Sequence, residues 1–323
     1  MNHIAISLLA MATSMAACSS GTGKTTSAEA APQTEKAQFC ADSAYSYVAR
    51  QVAFGPRVPS TAAHKACGDW LVNELTRHGA DTIIQQTASV SNPAGGMMPV
   101  RNIMGRFNTK APKRILLLAH WDTRPWADND PNQQNHSTPI DGANDGGSGV
   151  GVLLEVARQL GIKASQVGVD ILFTDAEDSG IHDSDASWAL GTQYWSSHMP
   201  YTSVDTPTYG ILLDMVGGQN AQFDREYFSQ RLAPAIVDKV WATAATLGHA
   251  DRFRDQYAGA VNDDHVHVNM AGIPCIDIIE CNNPATGSFN PTWHTTADNL
   301  QAIDRQTLGA VGQTVMQVIY NEQ

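Results

Sequence analysis

The sequence predicts an α/β fold formed by a single domain, in which a central sheet is flanked by helices. Three observations support this prediction. Apolar runs of strand length alternate with stretches of helical spacing along the 323 residues. Hydrophobic residues make up 42% of the chain, which is enough for one large core. We find neither an internal repeat nor a second linker, so residues 39–323 are expected to form one domain.

The first half of this domain is expected to contain two helices followed by three strands. Residues 41–52 and 62–78 have the spacing of amphipathic helices, and the segment FGPRVP at 54–59 forces a turn between them. The strand candidates cover residues 82–90, 100–107 and 115–119. The long polar stretch 124–143 then predicts a loop.

In the second half, strands and helices alternate, which is typical of an α/β domain. The predicted strands cover residues 169–174, 210–215 and 273–279. The predicted helices cover residues 148–160, 187–198 and 230–247, and a last helix carries Leu308, Val311, Val315 and Val318 on one face.

The charge of the chain excludes one class of partner. The formal net charge is -12 at pH 7, and Lys and Arg form no cluster. Binding to nucleic acid requires a basic surface that faces the phosphates. We therefore expect no nucleic-acid partner, whereas a neutral or cationic peptide is compatible with this charge.

The N-terminal region predicts export. Residues 4–15 form an apolar stretch that is too short to span a bilayer, so residues 1–17 are expected to be a signal peptide. The Ala-Ala-Cys motif that ends at Cys18 is typical of bacterial lipoproteins, in which this cysteine is lipidated. Residues 18–38 are rich in Ser, Thr, Ala and Gly and predict a flexible tether. We expect an exported, periplasmic lipoprotein that contacts the membrane only through Cys18.

Four more cysteines follow Cys18, and their pairing is open. They are Cys40, Cys67, Cys275 and Cys281. Export permits disulfides, and four cysteines allow three pairings. Because none has the Cys-x-x-Cys spacing of a metal site, buried thiols or structural disulfides are favoured over a catalytic role.

Acidic and histidine residues recur where the predicted strands end. Strand 115–119 precedes His120, strand 169–174 precedes Glu177, and the apolar run 210–213 precedes Asp214. Ligands of open α/β sheets bind at the carboxyl ends of the strands, so these side chains are expected to converge. Further segments of the same kind contain Asp145, Asp263, His265 and His294. Since zinc binds imidazole nitrogen and carboxylate oxygen, the set predicts a metal site.

The acidic segments also have simpler explanations. Asp145 lies in the small-residue bend GANDGGSG at 142–149, which could bring a carboxylate to a metal or could simply cap a helix. The adjacent acids Glu177 and Asp178 repel one another unless they share a cation or a proton. One of them could bind a metal while the other acts as a general base, and the alternative is a solvated acidic turn.

Asp214 and the two later histidines also have more than one explanation. Asp214 ends a predicted buried strand, so it requires a partner, which could be a metal, a hydrogen-bond donor or an arginine. His265 and His294 lie in polar segments, where either histidine alone could be a surface residue. Their occurrence together with the acids favours a metal site.

The motifs, in their order, resemble those of the zinc-dependent glutaminyl cyclases of animals and bacteria and, behind them, the co-catalytic zinc aminopeptidases. They are His-x-Asp, Gly-Ala-x-Asp, Asp-x-Glu-Asp, Leu-Leu-Asp-Met, Asp-Asp-His, Gly-Ile-Pro and Trp-His-Thr. The segments FGPRVP at 54–59 and HWDTRPW at 120–126 resemble the bacterial cyclases in particular. The resemblance implies a mixed, twisted central sheet, as in the zinc aminopeptidases.

The resemblance also implies roles for individual residues. The implied zinc ligands are Asp145, Asp178 and His294, although the animal cyclases have Glu where this chain has Asp178. Glu177 would shuttle a proton. Asp214 and Asp263 would form a hydrogen-bonded carboxylate pair that takes part in catalysis.

Tryptophans are the implied substrate-binding residues. Trp293 would line the substrate pocket beside His294. The pocket tryptophan that animal cyclases carry just after the acidic pair has no counterpart here, so Trp126, Trp188 and Trp195 are candidates, and we select Trp126 and Trp188.

The implied reaction converts the N-terminal glutamine of peptides or proteins to pyroglutamate and releases ammonia, with one zinc ion per chain. The alternative is a di-zinc aminopeptidase, which would recruit His120 and Asp214 for a second ion. Asp263, where aminopeptidases commonly have Ser, and Trp293 both favour the cyclase. His120 and Asp122 remain available for a second ion, so the sequence leaves the number of metals open.

Overall fold

The computed structural model describes residues 37–92 and 95–323, which belong to one compact unit. Its strands are β1 (Thr82–Ser91), β2 (Met97–Phe107), β3 (Arg114–His120), β4 (Gly168–Thr174), β5 (Gly210–Asp214), β6 (Phe223–Arg225), β7 (Phe253–Tyr257) and β8 (Cys275–Ile279). Six of them form a sheet in the order β1-β2-β4-β3-β5-β8, and β6 pairs with β7. The β1-β2 and β2-β4 pairs are antiparallel, whereas the remaining pairs are parallel. The predicted mixed sheet is confirmed.

Helices cover both faces of this sheet. They are α1 (Ala41–Val52), α2 (Ala62–Arg77), α3 (Gly147–Ile162), α4 (Leu190–Ser197), α5 (Tyr227–Leu232), α6 (Pro234–Thr246), α7 (Asp264–Met270) and α8 (Arg305–Asn321). Every residue of β3 is buried, because alternate side chains enter different cores. Ile115 and Leu117 join the core that contains α1, α3 and α8. Leu116 and Leu118 join a smaller core with Trp195 of α4 and Val268 of α7.

Several predicted elements need correction. The single helix predicted at 230–247 is two helices, α5 and α6, because Pro234 begins a new helix after Ala233, whose φ of -137° is not helical. The strand predicted at 273–279 begins only at Cys275, after Pro274. The short elements β6, β7 and α7 were not predicted, because their segments are polar and lack a clear apolar period.

The N-terminal predictions lie mostly outside the described residues. Residues 1–36, with the predicted signal peptide and Cys18, are not described. Ala37, which the sequence assigns to the tether, is buried, and its backbone N–H donates to Gln317 Oε1 at 3.0 Å. The packed chain therefore begins before Phe39, two residues earlier than predicted.

The remaining general predictions concern cysteines and the membrane. Cys40, Cys67, Cys275 and Cys281 are all free thiols, so the described residues contain no disulfide. Within the same ranges, every helix is too short or too polar to cross a bilayer.

Candidate metal centre

Three adjacent parallel strands bring acidic and histidine side chains to one edge of the sheet. In the order β4-β3-β5, β3 ends at His120, β5 ends at Asp214, and the loop after β4 carries Glu177 and Asp178. Asp145 lies just before α3, on the same edge, within hydrogen-bond distance of His120. The strand ends therefore converge in the way that the sequence predicts.

Asp145, Asp178 and His294 form a cluster of buried metal-binding atoms. One ligand atom from each lies within 4.8 Å of the others. His294 Nε2 is 3.1 Å from Asp178 Oδ1 and 3.6 Å from Asp145 Oδ2. Asp145 Oδ2 and Asp178 Oδ2 are buried without a hydrogen-bond partner. Two carboxylates and one imidazole are a donor set of a catalytic zinc site with an open position, so these residues fit a zinc ion.

The charges of this cluster favour a cation. Burial, together with the charge of Asp178, raises the pKa of Asp145 to about 6. Burial also raises the pKa of Asp178 to about 7, although Arg124 opposes the shift. For His294, burial lowers the pKa to about 3, which leaves the imidazole neutral. A neutral imidazole beside two crowded carboxyl groups is the state that a divalent cation stabilises.

A second cluster consists of His120, Asp145 and Asp214. Its ligand atoms already contact one another, since His120 Nε2 is 3.1 Å from Asp145 Oδ1 and 3.2 Å from Asp214 Oδ1. Burial opposes protonation of His120, but hydrogen bonds with Asp122, Asp145 and Asp214 raise its pKa well above the usual value. The imidazolium thus bridges two carboxylates at the place where a second ion would lie.

Two further aspartates hold the backbone of the candidate ligands. Asp122 Oδ1 accepts the N–H of Glu177 at 3.1 Å, and its Oδ2 accepts that of Asp178 at 3.3 Å. Asp298 accepts the N–H of Asn144 at 2.8 Å and that of Asp145 at 3.1 Å. The sequence suggested Asp122 for a second ion, and it gave no sign of the role of Asp298. Hydrogen bonds to backbone N–H groups cannot be predicted from the spacing of residue types in the sequence.

Arg124 is a buried cation beside the candidate centre. It donates to both carboxylate oxygens of Asp128 at 2.7 and 2.6 Å. It also donates to the carbonyls of Asp178 and Gly180, each at 3.2 Å. Its guanidinium lies 5.0 Å from the ring centroid of Trp188. Arg124 therefore ties the loop after β4 to this tryptophan.

The candidate ligands line a cavity of about 250 Å³. Its buried floor also contains Glu177, Asp214 and Asp263. Burial and the negative charge of Asp263 raise the pKa of Glu177 well above the usual value. Burial and the charge of Asp214 do the same for the pKa of Asp263. The three predicted catalytic carboxyl groups thus share one small cavity.

Aromatic rings form part of the cavity wall. Trp188, Phe289 and Trp293 line it. The Trp188 ring lies parallel to that of His294, with centroids 6.1 Å apart, and the Trp293 ring stacks on His294 at 3.8 Å. Trp126 does not line the cavity but contacts Arg124, with the guanidinium 5.1 Å from its centroid. The other candidate, Trp195, is buried in the smaller core.

Backbone strain is concentrated around these residues. Ala176 (φ 52°) precedes Glu177, Met215 (φ 47°) follows Asp214, and His294 itself has φ 55°. Left-handed conformations are unfavourable for residues other than glycine, and they persist where the surrounding structure imposes them. The fold therefore positions these candidate site residues at a cost in backbone energy.

Comparisons with known proteins agree with this centre. Residues 102–319 match the sequence model of peptidase family M28. A solved structure of Bacteroides thetaiotaomicron glutaminyl cyclase is 49% identical, with a TM-score of 0.86, over 90% of this chain and 100% of that one. A Zn-dependent exopeptidase from Parabacteroides distasonis is 52% identical, with a TM-score of 0.85, over 89% and 100%.

More distant curated relatives include both activities. Aminopeptidase YwaD of Bacillus subtilis is 25% identical over 82% of this chain, which spans 54% of the length of that protein. Bovine glutaminyl-peptide cyclotransferase is 22% identical over 78% of this chain and 74% of its own length. The segment that matches the family model includes the acids and histidines at the sheet edge. The chain therefore belongs to peptidase family M28.

Proposed function

We propose that this protein is a glutaminyl-peptide cyclotransferase, which converts the N-terminal glutamine of peptides or proteins to pyroglutamate and releases ammonia. The observation that carries the proposal is that Asp214, in the cavity floor, is already engaged by a side chain, because its Oδ1 lies 3.2 Å from His120 Nε2. Asp214 and His120 are then paired with one another instead of with a second metal. Burial and the negative charge of Asp214 also raise the pKa of Asp263, which suits the carboxylate pair that the resemblance implies. The similarity to a bacterial glutaminyl cyclase supports the same activity.

Asp145, Asp178 and His294 are the residues that would hold one zinc ion. Bound there, zinc would supply a Lewis acid that polarises the γ-carbonyl of the substrate glutamine. The unpartnered oxygens of Asp145 and Asp178 and the neutral imidazole of His294 support this assignment. Trp188 and Trp293 would hold the planar glutaminyl side chain between aromatic surfaces.

Glu177 would move the proton. The terminal amine of the substrate attacks its own γ-carboxamide carbon, so that a C–N bond closes a five-membered lactam. Glu177 accepts a proton from this amine and returns it to the departing nitrogen, and ammonia leaves when the original C–N bond breaks. A carboxyl group whose pKa is raised well above its usual value by burial suits both halves of the transfer. Asp122 fixes the backbone N–H of Glu177 during this exchange.

A di-zinc aminopeptidase is the second candidate, because His120, Asp145 and Asp214 form a second cluster of potential ligands. A second ion there would have to displace the contacts of His120 Nε2 with Asp214 and Asp145. At the first cluster, by contrast, two buried oxygens have no partner to lose. This difference supports one zinc ion per chain.

The two candidates are separated by the mass of the product. Purified, zinc-loaded protein is incubated with a peptide that begins with Gln. The cyclotransferase removes ammonia and leaves the peptide otherwise intact, whereas an aminopeptidase releases the first residue. Release of free glutamine without loss of ammonia from the peptide would contradict our proposal.

The role of Glu177 is tested by Glu177→Gln. We expect ammonia release to fall by at least about 100-fold, since general acid–base groups contribute 10²–10⁴-fold. Zinc content should be unchanged, because Glu177 is not a ligand. The matched control is Glu74→Gln on α2. Glu74 does not line the cavity, so this variant should keep full activity. Equal activity of the two variants would exclude the proposed shuttle.

We further propose that the protein is exported to the periplasm and tethered through a lipid on Cys18. The apolar stretch at 4–15 and the Ala-Ala-Cys motif support this localisation. Cell fractionation is expected to find the natural protein with membranes and the Cys18→Ser variant in the periplasmic fluid. Natural protein in the cytosol would contradict the proposal.

A further inference from the structure

The cavity has an exposed acidic residue at its mouth. Asp185 lines the cavity together with Glu177 and Asp178, but it is exposed, whereas those two acids are buried. Its side chain makes no hydrogen bond or ion pair with another described residue, and only its carbonyl is engaged. That carbonyl accepts Asn262 Nδ2 at 3.2 Å, which joins two segments of the cavity lining. The backbone of Asp185 is therefore held beside the cavity, and its exposed carboxylate has no partner among the described residues.

The other charged groups of the cavity have the same sign. The lining contains six acidic residues and no Lys or Arg; the acids are Asp145, Glu177, Asp178, Asp185, Asp214 and Asp263. The buried Arg124, which contacts Asp178, is not part of the lining, and Asp128 already takes two of its hydrogen bonds. Asp145 and Asp178 would be neutralised by zinc, Asp214 is engaged by His120, and Glu177 and Asp263 are buried in the floor. Asp185 is the acid that remains available to charges on a substrate.

The size of the cavity indicates which part of a substrate meets Asp185. A volume of about 250 Å³ lies below the range of about 300–1,000 Å³ that is typical of sites for drug-sized ligands. The small space between the floor and the aromatic wall suits the terminal glutamine better than a longer stretch of peptide. The side chain of the following residue then lies at the mouth, where the exposed Asp185 is located.

We infer that Asp185 selects the residue that follows the terminal glutamine and that it favours substrates with Lys or Arg at this second position over those with Asp or Glu. This inference rests on the proposed cyclotransferase activity. An ammonium or guanidinium group at the mouth would pair with Asp185, whereas a carboxylate there would be repelled. The pair is exposed to solvent, so its effect is modest and is weakened by salt.

The test compares three peptides that differ only at the second position: Gln-Lys, Gln-Ala and Gln-Glu at the start of one neutral sequence. We measure kcat/KM from ammonia release by the full-length, zinc-loaded protein. For each step from Lys to Ala and from Ala to Glu we expect about a threefold decrease, which is the size of an exposed ion pair. The Lys-to-Glu ratio of about tenfold should fall toward one at 0.5 M NaCl, because salt screens exposed charges.

Asp185→Asn is expected to bring the Lys-to-Glu ratio close to one. The matched control is Asp183→Asn, since Asp183 is exposed and two residues away but does not line the cavity. It makes the same change in net charge and should keep the natural ratio. An unchanged ratio in the Asp185 variant, or an equal loss in both variants, overturns the inference while the cyclotransferase activity stands. If the natural protein releases ammonia from none of the three peptides, the proposed function itself fails.

Discussion

The position of Trp188 in the cavity wall depends on Gly180, which has no side chain. A Cβ atom on Gly180 would lie 2.1 Å from Cδ2 of Trp188, far inside van der Waals contact. The indole Nε1 donates to the Ile181 carbonyl at 3.2 Å, so the ring rests against the Gly180 backbone. Glycine at this position is therefore required by the close approach of the ring and not by backbone conformation.

Gly180→Ala is expected to displace the indole and to weaken substrate binding. Overpacking of this kind costs about 1–3 kcal/mol, and we expect KM for a Gln-initiated peptide to rise by about tenfold. Bound zinc should be retained, because the candidate ligands are unchanged. The readouts are steady-state kinetics and metal content. Gly259→Ala is the control, since a Cβ atom there meets nothing within 4 Å. An unaltered KM in the Gly180 variant would show that Trp188 does not bind substrate.

At the residue scale, the sequence predicted which side chains meet but not how they are held. Asp145, Asp178 and His294 were inferred from the resemblance, and the structure brings their ligand atoms within 4.8 Å. The bonds from Asp298 to the backbone N–H groups of Asn144 and Asp145 could not be predicted. They depend on the fold, because 153 or more positions separate the partners along the chain.

At the scale of elements, Glu226 connects three neighbouring segments of the chain, one of which lines the cavity. Its carboxylate caps α5 by accepting the N–H groups of Phe228 and Ser229 at 2.9 and 2.6 Å. It also accepts the N–H of Val261, a cavity residue, at 3.0 Å, and it pairs with His265 Nε2 of α7 at 3.2 Å. A single buried acid thus fixes α5, α7 and the segment between them.

Glu226→Gln is expected to destabilise the protein most strongly near neutral pH. Burial opposes ionisation, but the bonds with His265 and with the backbone lower the pKa of Glu226 to about 2. A folded-state pKa below the ordinary value of 4.5 gives stability that is complete above pH 4.5 and is lost as the pH falls toward 2. The contribution is about 3 kcal/mol at pH 7.

Urea unfolding of the natural protein and of Glu226→Gln at pH 7, 5 and 3 measures this effect. The difference in the free energy of unfolding should be similar at pH 7 and pH 5 and clearly smaller at pH 3. Glu74→Gln, at a residue that pairs with Arg77 near the surface, provides the comparison. A difference that stays constant down to pH 3 would mean that the ionised form of Glu226 is not what stabilises the fold.

The elements that the sequence predicted well are those with a clear apolar pattern. The two N-terminal helices were predicted almost to the residue, and β3 and β4, which are buried on both faces, appear as largely apolar runs. The helix α7 was missed because its sequence DHVHVNM is short and polar. Its first turn is fixed instead by Asp263, whose carboxylate accepts the N–H of Asp264.

At the scale of the whole molecule, the candidate zinc ligands come from three distant regions of the chain. Asp145 precedes α3, Asp178 follows β4, and His294 lies between β8 and α8. The ordered motifs allowed the family to be recognised from the sequence, because their order along the chain is preserved. The number of metals could not be predicted, since it depends on whether His120 contacts other side chains or an ion.

Removal of zinc is expected to destabilise the entire domain, because an ion that binds only the folded state and links these three regions stabilises it by mass action. At a free zinc concentration 100 times the Kd, the gain is about 2.7 kcal/mol. We expect a chelator to lower Tm by at least about 5 °C. Calorimetry of the metal-free protein should show Tm rising until one equivalent of zinc has been added. His294→Ala should abolish this rise, whereas His120→Ala should keep it at one equivalent. A requirement for two equivalents that His120→Ala reduces to one would instead establish a second metal at His120 and Asp214.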